Sequence, residues 1–377
     1  MSPAQHSPPR VLLLADQLAT AGGVERFVCT LATHLAGQGF AVAVGSAATT
    51  REQLRYPLPP EVRVLHGARP LPRGDGALAI LRRQWRIGRA LARITAAEAP
   101  DVVLLNGLTT ACAVLLASRR FASRTVCCDH NHFGARSGLW QGLRRCLYPR
   151  VAAVVSLTQA DAPRFAAINP HTRVIVNASA LQADAPAFPA GETVLAVARC
   201  VAQKGLDLLL QAWAEVARAR PAARLVIVGD GPLFAALQAQ AVSAGLAGRV
   251  QWCAPTSGIA AHYRAAAVFV LPSRYEGMPL ALLEAQALGV PAVAFDCPTG
   301  PAEIITPDTG LVVPAGDVAG LARALIGLLA DPVLRQRMAL AAMARSQARF
   351  SMQAHLQQWT ELLRQVARGR PVEGAAA

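Results

Sequence analysis

Short β-branched apolar runs alternate with helical segments of ten or more residues along the whole chain, and that alternation leaves few folds open. "VLLLAD" (11–16), "FAVAVGS" (40–46), "VRVLHG" (62–67), "DVVLLN" (101–106), "TVCCDH" (125–130), "VAAVVSL" (151–157) and "VIVNAS" (174–179) read as strands. Helical patterns fall between them, including a basic one near 77–97 and another near 109–119. Parallel strands joined by right-handed helical crossovers account for such a pattern. "LQADAPAFPAGE" (181–192) is rich in Ala and Pro and has no period, after which the pattern restarts. The new strands are "TVLAVAR" (193–199), "RLVIVGD" (224–230), "VQWCAP" (250–255), "VFVLPS" (268–273), "PAVAFD" (291–296) and "GLVVP" (310–314). Helices are expected at 205–219 and 232–245, and a helical stretch over 317–368 carries Trp359 on its apolar face.

The expectation is therefore an α/β protein of two doubly wound, Rossmann-like domains. The first covers 1–180, a linker covers 181–192, the second covers 193–348, and a helix with a disordered tail covers 349–377. Two such domains would place a ligand cleft between the carboxyl ends of both sheets.

Charged residues make up 16% and apolar ones 53%, which excludes a disordered chain. The net charge of +14 is lopsided: residues 1–187 hold 21 Arg, no Lys and 10 acids, or +11, and residues 188–377 hold +3. A basic half suits nucleic acid, anionic lipid or a phosphorylated ligand. Eight cysteines without a CxxC spacing fit buried thiols in a reducing compartment better than a zinc site or a disulfide frame. The polar, Pro-rich "MSPAQHSPPR" is not expected to be a signal peptide, and no run reaches the length of a transmembrane helix. A cytoplasmic location follows as an expectation.

"RYEGMPLALLEA" (274–285) carries the sharpest chemical signal. Pro279 suits a first helical position, and Gly289 with Pro291 stops the helix. Glu276 then lies in the loop before the helix, beside the unpaired amides of Gly277, Met278 and Leu280, where phosphate or a polar sugar can bind. Glu284 shares a face with Leu280 and Leu288 among apolar neighbours. A carboxylate there needs hydroxyl or amide partners. Sugar hydroxyls would serve, as would a backbone amide or an arginine.

Other segments point the same way, each weakly alone. "VARCVAQKG" places Arg199 and Lys204 between a strand and a helix, where cations can hold a diphosphate, although solvated charges are the plainer reading. Gly229 and Gly231 in "VGDGP" allow close backbone approach. Gly22 and Gly23 in "TAGGVERF" open a helix and form a second candidate anion cradle.

"GGVER", "VARCVAQKGLDLLLQAWAEV", "VGDGP", "YEGMPLALLEAQALGVPAVAFDCPTGP" and "GLVVP" occur in that order at sensible spacings. With them the chain resembles a family 4 retaining glycosyltransferase of the GT-B fold, over nearly its whole length and most closely from 193 to 315. "FDCPTGP" resembles the branch that builds bacterial surface polysaccharides such as lipopolysaccharide, capsule and exopolysaccharide. The resemblance implies a GT-B pair of domains, with a C-terminal helix packing back on the first.

It also implies roles. Glu276 would face the donor sugar, Glu284 the ribose hydroxyls, and Arg199 and Lys204 the diphosphate, while Gly23 would let its loop approach the phosphates and the acceptor. A histidine at the end of a first-domain strand would meet the donor sugar, and "CCDHNH" offers His130, or less readily His132. The implied catalytic set is Glu276, His130, Lys204 and Arg199. The donor-binding set is Gly23, Arg199, Lys204, Gly277, Met278, Pro279, Leu280 and Glu284. The chain departs from the family at Ala198, where glycine is usual, at Ala302, where a basic residue is common, and at "VNAS", which replaces an Asn-Pro turn.

The implied reaction moves a sugar from a nucleotide-diphosphate sugar, a UDP-sugar by first choice, to a glycan or lipid-linked acceptor. No cofactor or metal is expected, since no DxD loop and no His/Asp/Glu cluster with ligand spacing is present. Rival readings are another GT-B enzyme, such as a UDP-sugar 2-epimerase or an inverting transferase, a non-catalytic sugar-nucleotide sensor, and a basic nucleic-acid-binding protein. The last lacks an aromatic strand platform, a zinc finger and a basic tail, so no nucleic-acid partner is expected.

The basic half also suggests an anionic membrane. In "ILRRQWRIGRALARI" (80–94), Arg82, Arg86, Arg89 and Arg93 recur at helical spacing beside a stripe of Leu81, Trp85, Gly88 and Ala92. "RSGLWQGLRRCLYPR" (136–150) repeats the theme with Trp140, Leu143 and Leu147 among arginines. Peripheral docking on the inner face of the plasma membrane is the expectation. The plainer alternative is a stripe packed on the sheet with its arginines solvated.

Overall fold

The computed structural model describes residues 8–20, 22–67, 76–370 and 372. By its internal contacts the chain divides into two compact units, one holding the chain up to Ile175 and again from Gln353, the other Val176–Met352.

The first unit is built on seven parallel strands. These are β1 (Arg10–Ala15), β2 (Ala41–Ser46), β3 (Arg63–His66), β4 (Val102–Asn106), β5 (Thr125–Cys128), β6 (Ala153–Ser156) and β7 (Thr172–Val174). They lie in the order β3-β2-β1-β4-β5-β6-β7. Val11–Leu14 and Val102–Leu105 are almost wholly buried, as strands covered by helices on both faces must be. The order reverses between β1 and β4, which are hydrogen-bonded neighbours (Val11 beside Val102). At such a reversal the flanking loops part and leave a crevice at the carboxyl ends of the strands.

The second unit repeats the design with β8 (Thr193–Val197), β9 (Arg224–Val228), β10 (Val250–Cys253), β11 (Val268–Leu271), β12 (Ala292–Asp296) and β13 (Gly310–Pro314). Their order is β10-β9-β8-β11-β12-β13, all parallel, with the reversal between β8 and β11. Trp213, Leu209 and Val216 of the helix Leu206–Ala219 lie in the core beside Leu225, Val268 and Leu325. Residues 181–192 carry neither helix nor strand and belong to this unit.

Twelve of the expected strands fall where alternation places them, mostly trimmed by one or two residues at the ends. The largest difference is β7, expected at 174–179, which is Thr172–Val174 and is followed by irregular chain. The ladder ends at Val174, and further on the Asn177 side-chain amide donates to the Met278 carbonyl (3.1 Å). The stretch expected to be helical over 317–368 divides into Val318–Ala330, Pro332–Arg349 and Met352–Ala367. Asp331 makes the first break: its carboxylate caps Leu334 N (2.8 Å), and Pro332, which has no N–H to give, starts the next helix.

The final helix packs in the first unit, as the resemblance implies. Trp359 is fully buried with its ring 5.2 Å from that of Phe27, and His355 lies 6.0 Å from the same ring. The tail expected to be disordered falls largely outside the described residues.

Candidate active site

The second unit gathers its polar groups at the β8/β11 reversal. The chain leaves β8 at Val197 and turns through Arg199 to Lys204 in the short turn Ala202–Lys204. Gly205 takes a left-handed conformation (φ 63°), and a Cβ there would collide with the Pro272 carbonyl oxygen. The loop after β11 therefore lies directly against it. That loop carries Glu276, which is buried. Lys204 Nζ and Ser273 Oγ each lie 2.6 Å from Glu276 Oε1, and Thr299 Oγ1 donates to the Glu276 carbonyl (2.8 Å). Nearby, burial first and then the Glu276 charge push the Cys297 thiol up to about 12, so it stays protonated and inert.

Arg199 is exposed in the same loop; its carbonyl accepts from Val201 N (2.9 Å), and its side chain makes no hydrogen bond or ion pair among the described residues. Gly229 and Gly231 are close-approach positions, and what approaches them is the chain itself. A Cβ on Gly229 would meet the Ala198 carbonyl, and one on Gly231 would lie 2.7 Å from the Cys200 carbonyl oxygen.

The helix after Glu276 runs Leu280–Ala287. Pro279, expected as its first residue, is instead the N-cap, because its ψ of 111° is extended. No partner is found among the described residues for the Gly277, Met278 and Leu280 amides. The loop is held from behind: Gly300 (φ 96°) leaves room for the Gly277 carbonyl, and Asn177 binds the Met278 carbonyl. Glu284 is buried, as its apolar surroundings imply. Tyr263 answers it, donating its hydroxyl to Glu284 Oε2 (2.9 Å) and lying 3.0 Å from the Ala281 carbonyl. The expectation had named sugar hydroxyls, an amide or an arginine, and a tyrosine 21 residues away in sequence gives no signal there.

In the first unit, His130 follows β5 in the left-handed region (φ 56°). Its Nε2 lies 2.8 Å from Asn106 Oδ1 at the end of β4, and its ring is 4.7 Å from Phe27. Burial, and secondarily the His355 charge, lower its pKa to about 3, so the imidazole is neutral. His132 is half-buried and its Nδ1 accepts from the Gly134 amide (3.2 Å). Asn106 and His130 thus meet at the carboxyl edge, whereas His132 is turned into its own loop.

A buried network fixes that loop. Arg144 Nη1 donates to Asp129 Oδ2 (2.9 Å), Tyr148 OH to Asp129 Oδ1 (2.5 Å), and Arg144 Nη2 to the Phe133 carbonyl (2.8 Å). Arg144 belongs to the basic stretch 136–150 expected to face an anionic membrane, and it does not face outward. It is fully buried, because Asp129 beside it would otherwise be an unpaired buried charge. At the first helix, Gly22 is the N-cap and Gly23 the first helical residue. The candidate anion cradle there already faces a carboxylate: a Cβ on Gly22 would run into Glu25, which also accepts from Thr20 Oγ1 (2.6 Å).

Residues 191–331 match the family model described as glycosyl transferases group 1, and residues 21–179 match that of glycosyltransferase family 4. Together the two matches cover the second sheet and all of the first but β1. The chain belongs to the family 4 glycosyltransferases. This glycosyltransferase is 29% identical over 363 residues to the amylovoran biosynthesis glycosyltransferase AmsD of Erwinia amylovora, covering 94% of this chain and 99% of that protein. Its fold is GT-B. It superposes on the sucrose-phosphate synthase of Thermosynechococcus elongatus with a TM-score of 0.80 at 21% identity, covering 95% and 99% of the two chains. Anabaena HepE, solved with UDP and glucose, gives 0.76 at 21% identity, covering 94% and 99%. Among the described residues of the glycosyltransferase, no group of three or more His, Cys, Asp or Glu is placed to hold a metal.

Proposed function

We propose that the protein is a retaining transferase that moves a sugar from a UDP-sugar to a hydroxyl of a glycan or lipid-linked acceptor, in the synthesis of a bacterial surface polysaccharide. The observation that carries this reading is the Lys204–Glu276 ion pair at the carboxyl edge of the second sheet. An ammonium has three N–H donors, and Glu276 takes one, so two remain for phosphate oxygens while the carboxylate holds the cation in place. Exposed Arg199 and the amides of Gly277, Met278 and Leu280 are assigned to the same anion as further donors.

The reaction asks for little covalent help. As the bond between the anomeric carbon and the phosphate oxygen breaks, charge builds on the diphosphate. Preorganised cations stabilise it without reorganising. The acceptor oxygen bonds to the anomeric carbon on the face the diphosphate leaves, and its proton passes to a phosphate oxygen. Glu276 is assigned to the donor sugar and Glu284 to the ribose hydroxyls. A carboxylate offers about four lone-pair sites, so Tyr263 does not exhaust Glu284. Neutral His130 is assigned to a donor-sugar hydroxyl. Two carboxylates flanking the bond, as in glycoside hydrolysis, are disfavoured because only Glu276 is assigned to the donor sugar, Glu284 being assigned to the ribose. The names of AmsD and of the HepE complex favour polysaccharide synthesis and UDP.

We place the enzyme peripherally on an anionic membrane, at the cytoplasmic face. Among the described residues no helix is long and apolar enough to cross a bilayer. The helix Ala77–Glu98 nevertheless exposes Leu78, Ile80, Leu81 and Trp85, the last at 57%, and the helix Gly138–Leu147 exposes Leu139. Arg82, Arg86 and Arg89 are exposed among them. Apolar side chains with Arg between them suit a headgroup surface.

The test of the reaction is a screen of UDP-, GDP- and ADP-sugars for slow hydrolysis and for protection against melting. A UDP-sugar should be released as UDP and should raise the melting temperature. Indifference to all three would remove the donor reading.

A further inference from the structure

We infer that Arg274, with Gln203 and Asp207, is a clamp that sets the distance between Lys204 and Glu276, so that Arg274 is a positioning residue for the transfer step. The inference rests on the reading of Lys204 above. Lys204 and Glu276 sit on different loops, 72 residues apart in sequence, yet their charged atoms meet at 2.6 Å.

Five hydrogen bonds tie the loop of Glu276 to the turn of Lys204 and the helix after it, besides the pair itself. Arg274 N donates to the Gln203 carbonyl (2.8 Å), and Gln203 Nε2 returns to the Tyr275 carbonyl (3.0 Å). Arg274 Nη1 donates to the Ala202 carbonyl (2.7 Å) and to Asp207 Oδ1 (2.8 Å), and Nη2 to Asp207 Oδ2 (2.6 Å). Asp207 lies in the first turn of the helix that follows Lys204. The guanidinium fork therefore grips both the turn that carries Lys204 and the helix behind it. Gln203 and Arg274 flank the two charged residues by one and two positions. Each loop thus reads the other's backbone immediately beside its functional side chain.

Two features separate this role from plain stability and from donor binding. The Arg274–Asp207 pair is well exposed, with side chains 39% and 37% accessible. Ion pairs at such sites contribute little to folding, so a stabilising purpose does not explain five converging hydrogen bonds. Both terminal nitrogens of Arg274 are engaged within the clamp, which leaves the guanidinium poorly placed to take a phosphate. Catalytic groups must be held within roughly 0.5 Å of their productive geometry. A loop free to drift by about 1 Å costs on the order of a hundredfold in rate.

The experiment compares wild type, Arg274→Ala, Arg274→Lys, Lys204→Ala and the Arg274→Ala/Lys204→Ala double variant. Release of UDP from the UDP-sugar chosen by the donor screen gives kcat and KM, and melting is followed in parallel. Arg274→Ala should lower kcat by about tenfold or more, with donor KM changed less than about threefold and an almost unmoved melting temperature. Arg274→Lys keeps the charge but not the fork and should recover only part of the loss. In the Lys204→Ala background, Arg274→Ala should cost almost nothing further, since it acts through Lys204. Wild-type kcat in Arg274→Ala, or an undiminished further loss in the double variant, would overturn the clamp. A normal kcat in Lys204→Ala would instead overturn the underlying assignment, so the two failures are distinguishable.

Discussion

Glu284 shows what one buried carboxylate can and cannot tell from sequence. Its apolar surroundings announced a site that needs partners, while the partner itself, Tyr263, comes from another helix and left no local trace. Ser273 and Thr299 on Glu276 were equally silent, since serine and threonine near a loop are commonplace. Glu284→Gln keeps an oxygen to accept from Tyr263 but loses the charge toward ribose. Calorimetry should show nucleotide-sugar affinity weakened by about tenfold or more, with the fold intact. Unchanged affinity in a folded variant would end the ribose assignment.

His130 gives a second prediction at this scale. Its folded pKa of about 3 lies below the unfolded value of about 6.5, so the unfolded chain binds the extra proton first. Its contribution to stability is therefore present above about pH 6.5 and is lost as pH falls toward 3. Urea unfolding of His130→Gln should show a shallower decline across that window than wild type. Parallel profiles would mean that the ring is not held neutral.

At the scale of elements, the helix Ala77–Glu98 resolves two readings that its sequence left open. Its stripe of Leu81, Trp85, Gly88 and Ala92 is neither wholly packed nor wholly free. Gly88 and Ala92 are buried, with Gly88 so close to the helix Leu108–Ala117 that a Cβ would strike the Ala113 carbonyl, while Leu81 and Trp85 are exposed. Periodicity marks one apolar face along a whole helix, and only the neighbouring element decides how far that face is covered. The second stretch shows the same limit, since Arg144 serves Asp129 and the arginines at 136, 145 and 150 are exposed. The exposed ends carry the membrane prediction. The protein should sediment with phosphatidylglycerol vesicles at low salt, less as salt rises, and little with neutral vesicles. Trp85→Asp with Leu81→Asp should release it. Equal recovery in the supernatant with both lipids would leave the basic half without this role.

For the whole molecule, alternation of strands and helices was enough to predict two doubly wound sheets, because parallel strands with right-handed crossovers allow few arrangements. It could not supply strand order, which depends on packing between distant segments. The β8/β11 reversal is what brings the Lys204 loop to the Glu276 loop. The pair was legible as two motifs. Its 2.6 Å contact and the Arg274 clamp were not, since they are products of that order. Likewise Trp359 was legible as part of an apolar face, while its seat against Phe27, more than three hundred residues earlier, belongs to the fold.

The most direct test is time-resolved proton NMR of a UDP-hexose turned over in excess EDTA. It reads the nucleotide released and the anomeric proton of the sugar before mutarotation. UDP and an α-configured sugar should appear first, at a rate that EDTA leaves unchanged and that falls by at least about tenfold in Lys204→Ala. A β-configured sugar appearing first, or a Lys204→Ala enzyme as fast as wild type, would contradict the proposed reaction.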